Sequence, residues 1–175
     1  MSEVIATQEI PIPDKRRTPP GNKASNFKLC EPGFVPSFEA VTAVAVVAFT
    51  PGGEIVAAEE HRGPDLPGGH VQVGENSAEE TARRESAEEA GITLGAVTFL
   101  RAIESDRYGS APEELTYMLI VTALVTELNE VPAGMCRHIM TVDEFKQQHR
   151  GLRQEMICQL VDLAYAMHFP DGTTA

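Results

Sequence analysis

The stretch "GENSAEETARRESAEEAGI", residues 74–92, decides the fold because it marks both ends of a helix. Ser77 and Glu80 have the spacing of a capping box, and Gly91 is a residue type that commonly follows a last helical turn. These signals predict a helix over Ala78–Ala90. Small residues recur at every fourth position within it, so we expect the helix backbone to pack closely on the layer beneath. This column consists of Ala78, Ala82, Ser86 and Ala90.

The same predicted helix has an acidic face made of Glu85, Glu88 and Glu89. Because successive helical residues turn by about 100°, the three carboxylates fall within one narrow arc. Like charges this close oppose helix formation by about 0.2–0.5 kcal/mol per pair. Clustered carboxylate oxygens suit a hard divalent cation such as Mg²⁺ or Mn²⁺. A run of charge is also commonly plain solvent-exposed surface, so the helix pattern alone leaves both interpretations open.

The acidic stretch and the glycine turn before it resemble the Nudix box. That pattern is Gly, five residues, Glu, seven residues, Arg-Glu, a hydrophobic residue, any residue, Glu-Glu, any residue, Gly and a hydrophobic residue. The matching positions here are Gly69, Glu75, Arg84, Glu85, Glu88, Glu89, Gly91 and Ile92. A preceding "LPG" and the order of the strands that follow agree with the resemblance.

The sequence departs from the box at two positions. Eight residues separate Glu75 from Arg84, and Ser86 stands where a hydrophobic residue is usual. An insertion inside the helix would rotate the glutamates off their common face, so we place the extra residue before Ser77. We expect the Ser86 hydroxyl to bond back to a helix carbonyl. The insertion leaves open whether Glu75 reaches the helix residues.

The resemblance implies a hydrolase acting on phosphorus anhydrides, a pyrophosphohydrolase dependent on Mg²⁺ or Mn²⁺. Its substrate would be a nucleoside diphosphate linked to another moiety: a nucleoside triphosphate, dinucleoside polyphosphate, nucleotide sugar or ADP-ribose. By resemblance the metal ligands are the Gly69 carbonyl, Glu85, Glu88 and Glu89. Glu85 and Glu88 are both candidates for the catalytic base, Arg84 would orient the glutamates, and Glu75 would support the site. An ordinary surface role for Arg84 stays open.

Further candidates follow from positions where family members place substrate-reading residues. They are His70, Arg101, Arg107 and Tyr108. Many relatives also recruit an acid from a later loop, for which the sequence offers Glu113 or Glu114 in "SAPEEL" and Glu130 in "LNEVP". A structural histidine and a packing tyrosine are the plainer alternatives for His70 and Tyr108.

A non-catalytic Nudix domain that acts as a nucleotide-binding sensor or interaction module is the alternative function. It draws on the inserted residue and on Ser86. A third interpretation treats the acidic helix as surface only.

The fold class implied by the resemblance is α/β: a Nudix α/β/α sandwich with a mixed β-sheet between the box helix and a C-terminal helix. The residue patterns agree, because "VTAVAVVAFT" and "EIVAAEE" flank a "PGG" turn and predict a hairpin. Strands are also predicted in "LPGGHVQV", "AVTFLRAIES" and "RHIMTV", and a central strand in "LTYMLIVTALVTEL". "TVDE" predicts a short capped helix. The last helix carries a stripe predicted to pack on the sheet: Leu152, Met156, Ile157, Leu160, Val161, Ala164 and Met167.

Length and composition complete the sequence-based picture. We expect a Pro-rich N-terminal arm at 1–37, a Nudix domain at 38–170 and a tail at 171–175. A net charge of -12 disfavours nucleic acid and anionic membranes as partners. The resemblance implies a small nucleotide as substrate, and we expect a monomer or a homodimer. Three scattered cysteines, with neither a signal peptide nor a membrane-length apolar run, predict a cytoplasmic protein.

Overall fold

A computed structural model of the protein describes residues 27–105, 115–151 and 154–171. Its strands are β1 (Phe27–Leu29), β2 (Val41–Phe49), β3 (Ile55–Glu60), β4 (Gly63–Asp65), β5 (Gly68–His70), β6 (Ile92–Leu94), β7 (Thr98–Ser105), β8 (Thr116–Leu128) and β9 (Arg137–Met140). Its helices are α1 (Ala78–Ala90), α2 (Val142–Gln148) and α3 (Gln154–His168), with a short 3-10 turn at Phe38–Ala40.

The strands form a mixed sheet in the order β1-β7-β8-β2-β3-β4. β5 pairs with β2, β6 with β8 and β9 with β3. The pair β2–β8 is parallel, whereas the other pairs are antiparallel. β8 is central and largely buried, as its nearly continuous apolar sequence predicts.

Two apolar clusters lie on opposite faces of this sheet. The first includes Ala82 and Ala90 of α1 packed with Val44, Val46 and Val121 of the sheet. The second joins the other sheet face to both C-terminal helices through Val47, Phe49, Phe145, Leu160 and Val161. The predicted α/β/α sandwich is therefore confirmed.

The ends of α1 fall where the sequence marks them. The Ser77 hydroxyl accepts from the Glu80 N–H at 3.2 Å, and Gly91 adopts the left-handed conformation with φ 59°. The capping box differs in one detail, since the Glu80 carboxylate accepts from the Asn76 N–H at 2.8 Å rather than from Ser77. The box predicted for α2 is complete, with both reciprocal bonds between Thr141 and Glu144.

Several features depart from the sequence-based expectation. β1, inside the segment expected to be an arm, pairs with β7 and belongs to the sheet. β4 and β6 are not predicted either, because three residues are too few to show a period. The packed stripe predicted for α3 includes Met167, yet this residue is 48% exposed, since the last turn of the helix contacts the sheet through Tyr165 and His168 instead.

The predicted limits of the domain stay a prediction, and Leu152 lies outside the described residues. Within the described ranges, no helix has both the length and the apolar character needed to cross a bilayer.

Candidate active site

Strand β5 lies directly against α1, and its residues meet the box helix through the backbone. The Gly68 N–H donates to Glu89 Oε2 at 2.8 Å. The carbonyl of His70 accepts from Arg84 Nη2 at 2.9 Å. The strand thus presents main-chain groups, rather than side chains, to the charged residues of α1.

Gly69 lies between these two contacts and has no room for a side chain. A Cβ at this position would collide with Glu85 Oε1 and would stand 2.7 Å from Glu85 Cδ. At Gly68 a Cβ would lie 2.6 Å from the carbonyl oxygen of Val44. Gly69 therefore allows the Glu85 carboxylate to lie on the backbone of β5, and Gly68 allows β5 to lie close to β2.

Arg84 is the centre of the charged cluster. Its Nε donates to Glu75 Oε1 at 2.6 Å, and its Nη1 donates to Glu85 Oε1 at 2.7 Å and to Glu88 Oε2 at 3.1 Å. Burial acts to lower the pKa of Arg84, yet the bonds to Glu75 and Glu85 raise it above its ordinary value. The guanidinium therefore ties three carboxylates and the β5 backbone into one unit.

Glu75 reaches the helix despite the lengthened loop. Besides Arg84, its carboxylate accepts from the Gln72 N–H at 2.7 Å and from Thr81 Oγ1 at 2.8 Å. Burial alone would raise the pKa of Glu75, but these hydrogen bonds, Arg84 foremost, lower it below the ordinary value. Because α1 runs without interruption from Ala78, the extra residue lies before the cap and Glu75 remains in contact with the cluster.

The three glutamates of the acidic face differ in environment. The Glu85 side chain is 10% exposed, whereas that of Glu88 is 57% exposed and reaches the cluster only through Arg84 Nη1. Glu89 is half-buried. Its burial, followed by the negative charges of Glu85, Glu60 and Asp65, raises its pKa to about 7 against the opposing effect of the Gly68 N–H. Positive charge brought to this face would therefore favour the ionised form of Glu89.

The donor types on this face fit a hard divalent cation. The available atoms are carboxylate oxygens of Glu85, Glu88 and Glu89 and the backbone of a glycine with no side chain to block approach. In the described part of the chain, no three His, Cys, Asp or Glu side chains converge on one point suited to a metal. Arg84 binds one carboxylate oxygen of Glu85 and one of Glu88.

Comparison with known protein families gives a match for this chain. A family model described as the NUDIX domain matches residues 40–160. The chain belongs to the Nudix family. This confirms the sequence resemblance, and membership supports hydrolysis of phosphorus anhydrides as the general activity, in agreement with the predicted enzyme class. No curated protein sequence matches the chain.

Solved structures share the Nudix fold at low sequence identity. The Bacillus subtilis pyrophosphohydrolase BsRppH has a TM-score of 0.57 and 18% identity, covering 86% of this chain and 93% of its own. A MutT from work on Aliivibrio salmonicida and Vibrio cholerae has a TM-score of 0.53 and 18% identity, covering 68% and 92%. A NUDIX hydrolase from Nitrosomonas europaea has a TM-score of 0.52 and 20% identity, covering 73% and 90%. At these identities the likeness shows the fold.

Arg137 of β9 contacts the Nudix-box helix, a contact that no sequence pattern indicates. Its Nη1 donates to the carbonyls of Ala90, Gly91 and Asn129 at 3.0, 3.1 and 2.9 Å. The Arg137 guanidinium thereby satisfies the last carbonyls of α1, where the helix dipole is negative. A lone arginine at the start of a strand carries no local signal for such a contact.

The remaining sequence candidates are dispersed. Arg101 lies on β7 at a β-bulge, and the strand order puts β8 and β2 between β7 and β5, so the structure does not place Arg101 on a strand next to the carboxylates. Glu130 is exposed, and its carbonyl lies against Gly91 at the end of the box helix. Arg107, Tyr108, Glu113 and Glu114 lie outside the described residues.

The prediction for Ser86 is wrong. Its Oγ is fully buried and has no hydrogen-bond partner among the described residues. The small-residue column packs closely on the sheet, as predicted, with Ala82 and Ala90 in the α1-side core.

Proposed function

We propose that the protein is an Mg²⁺- or Mn²⁺-dependent pyrophosphohydrolase of a small nucleotide. The observation that carries this proposal is the contact between β5 and α1, where Glu85 lies on the bare backbone of Gly69. Glu88 and Glu89 share that face, and Arg84 links it to Glu75. Such a face concentrates oxygen ligands beside backbone that a phosphate group can approach closely.

The proposed metal ligands are the carboxylates of Glu85, Glu88 and Glu89 with the carbonyl of Gly69. A divalent cation, when bound, neutralises phosphate oxygens and lowers the pKa of a bound water. The net charge of -12 makes that contribution necessary, because the chain otherwise repels a polyphosphate.

Arg84 and Glu75 act as positioning residues in this proposal. Arg84 fixes Glu85 through a 2.7 Å bond, and Glu75 fixes Arg84 through a 2.6 Å bond. Glu85 and Glu88 are the two candidates for the general base that takes a proton from the attacking water. Glu88 is the more exposed of the two, and Arg84 contacts both.

The substrate classes proposed are those of the resemblance: nucleoside triphosphates, dinucleoside polyphosphates, nucleotide sugars or ADP-ribose. A cytoplasmic location is also proposed, supported by the free thiols of Cys30, Cys136 and Cys158.

The variant Glu88→Gln tests the proposal, with Glu79→Gln as its matched control. Both glutamates lie on α1, both are more than half exposed, and each pairs with an arginine four residues away. We expect Glu88→Gln to lower kcat by about 10²-fold or more without unfolding the domain, and Glu79→Gln to change it less than about twofold. Turnover is measured with Mg²⁺ and with Mn²⁺ over the four substrate classes, with products resolved. Full activity of Glu88→Gln would refute the role given to this face.

The same panel addresses the non-catalytic alternative. If the wild-type protein hydrolyses no member while calorimetry shows that it binds a nucleotide, the chain is a sensor rather than an enzyme. If it binds neither nucleotide nor Mg²⁺ or Mn²⁺, the acidic face is surface only.

A further inference from the structure

Two aromatic rings form an accessible pair on the α1 side of the sheet. The ring centroids of Phe34 and Tyr117 are 5.5 Å apart, with an angle of 47° between the planes. Phe34 is 42% exposed, and Tyr117 packs only partly against the α1-side core. An exposed ring held beside a second ring presents flat apolar surface that another aromatic group can stack on.

A tight turn holds Phe34 in place. The Phe34 N–H donates to the Glu31 carbonyl at 3.1 Å, and Gly33 between them has φ +82°. Pro32 followed by a glycine of positive φ is the signature of a type II turn. The backbone under the ring is therefore ordered before any ligand arrives, which reduces the entropy lost on binding.

Tyr117 lies on the same face of the sheet as the charged cluster. It is in register with Val41 of β2, and the Thr42 hydroxyl donates to its carbonyl at 3.5 Å. On the other side of β2, Ala43 is in register with His70, whose carbonyl binds Arg84. Tyr117 and His70 are thus two strand spacings apart across the sheet and two residues apart along β2, a separation of about 12 Å. A nucleoside joined to its phosphates spans such a separation.

We propose that Phe34 and Tyr117 form a subsite that stacks the nucleobase of the substrate. The inference rests on the proposed function, since the phosphates are placed at the β5–α1 face. Aromatic rings accept any base, because every base has a π-face. The subsite therefore favours substrates that carry a base over inorganic polyphosphates, and it accepts adenine and guanine alike.

The chemistry of the pair favours a base over a protein partner. A specific protein interface buries at least about 1,000 Å², far more than two rings present. A stacked base requires only one or two ring faces, and Tyr117 is connected by strand pairing through β2 to β5, which carries the proposed phosphate site.

A fluorescence titration tests base binding without any turnover. The chain has no tryptophan, so Phe34→Trp introduces a single indole at the proposed stacking position. We expect adenosine and guanosine monophosphate to quench its emission saturably, and inorganic pyrophosphate to leave it unchanged. Emission unaffected by both monophosphates at millimolar concentration overturns the subsite.

Kinetics supply the second measurement, with Phe34→Leu as the variant. We expect KM for a nucleotide that the wild type cleaves to rise about tenfold, the equivalent of 1.4 kcal/mol, while kcat stays within about twofold. The control Leu128→Ala removes another half-exposed apolar side chain at the far end of β8, the strand that carries Tyr117, and KM should not move. An unchanged KM in Phe34→Leu refutes the stacking role.

The two measurements separate failure of this inference from failure of the proposed function. Wild-type turnover with no response at Phe34 leaves the enzyme proposal standing and overturns the subsite. Saturable quenching in a protein that hydrolyses nothing supports the subsite and overturns the enzyme proposal.

Discussion

Helices α1 and α3 cover opposite faces of one sheet but are attached to it differently. The buried residues of α3 are all apolar: Ile157, Leu160, Val161 and Ala164. Those of α1 are small or polar: Thr81, Ala82, Glu85, Ser86 and Ala90. α3 is held by buried apolar area, whereas α1 relies on close approach and on hydrogen bonds from Gly68, Arg84 and Arg137.

The difference shows how the fold separates stability from chemistry. Apolar burial stabilises whatever the direction of the individual contacts, so the packing of α3 on the sheet does not depend on charged groups at defined positions. Hydrogen bonds and ion pairs fix atoms in place, so α1 holds carboxylates in a defined arrangement at the expense of burying charge. Substitutions on the two helices should therefore have different signatures.

The largest loss of stability is expected from Leu160→Ala on α3. The side chain is 1% exposed, and removing it should lower the free energy of unfolding by about 2–5 kcal/mol. Urea unfolding measures this loss, and kcat of the molecules that remain folded should be unchanged. Leu163→Ala, 38% exposed on the same helix, serves as control and should change stability by less than about 0.5 kcal/mol. Similar losses for both variants would contradict the account of α3.

Arg84→Gln should have the next largest effect and a different signature. It leaves the poorly exposed carboxylates of Glu75 and Glu85 without their cation and should lower the free energy of unfolding by about 1–3 kcal/mol. Because Mn²⁺ would supply the missing positive charge, thermal unfolding with Mn²⁺ should recover part of the loss. Arg83→Gln breaks contacts with Glu79 and two carbonyls outside the cluster, so its loss should not depend on Mn²⁺. Equal Mn²⁺ dependence in the two variants would argue against a cation at this face.

Arg137→Met should have a smaller effect, confined to the end of α1. Losing the cation from the Ala90 and Gly91 carbonyls should lower stability by about 1–2 kcal/mol. Hydrogen exchange should accelerate at the amides of the last turn of α1 and not in α3. Arg137→Lys keeps the charge and should recover part of the protection. Uniform acceleration over both helices would show that Arg137 acts on global stability instead.

The smallest effect concerns a polar contact between the last turn of α3 and the sheet. His168 Nε2 lies 2.9 Å from the Thr122 hydroxyl, and burial lowers the pKa of His168 below its ordinary 6.5. The neutral form of His168 is therefore favoured in the folded state. The stability that its contact with Thr122 contributes is present above pH 6.5 and is lost as the pH falls through the folded-state pKa. Urea unfolding at pH 5 and pH 8 measures the free energy of unfolding of the wild type and of His168→Gln. The amount by which the wild type is more stable than the variant should be larger at pH 8. A larger difference at pH 5 would reverse the sign of the argument.

The sequence predicted the elements whose signals are local and repeated. α1 begins and ends as marked because Ser77 and Gly91 act on adjacent backbone groups. The long strands β2 and β8 were evident from their apolar runs. β1, β4 and β6 were missed because their three residues gain strand geometry from the neighbour with which they pair.

The sequence predicts which residues form the candidate site better than it predicts the contacts that those residues make. The motif indicated Glu85, Glu88 and Glu89, and the structure places Glu85 and Glu89 against β5 and Glu88 beside Arg84. The contact of Arg137 was not predictable, since it joins residues 47 apart in the chain. The prediction for Ser86 failed because a hydroxyl in a small-residue column has the same sequence signal whether its oxygen bonds the helix or faces the sheet.

The parallel pairing of β2 with β8 has a consequence for biosynthesis. The Thr122 hydroxyl donates to the Val47 carbonyl across 75 residues of chain, and all of α1 lies in between. At ribosomal speeds of 5–20 residues per second, about 4–15 s separate the emergence of these two strands. During that interval the apolar "VTAVAVVAF" of β2 lacks its parallel neighbour, and an uncovered β-rich edge is a template for aggregation. We expect the nascent chain to depend on chaperones until β8 has emerged.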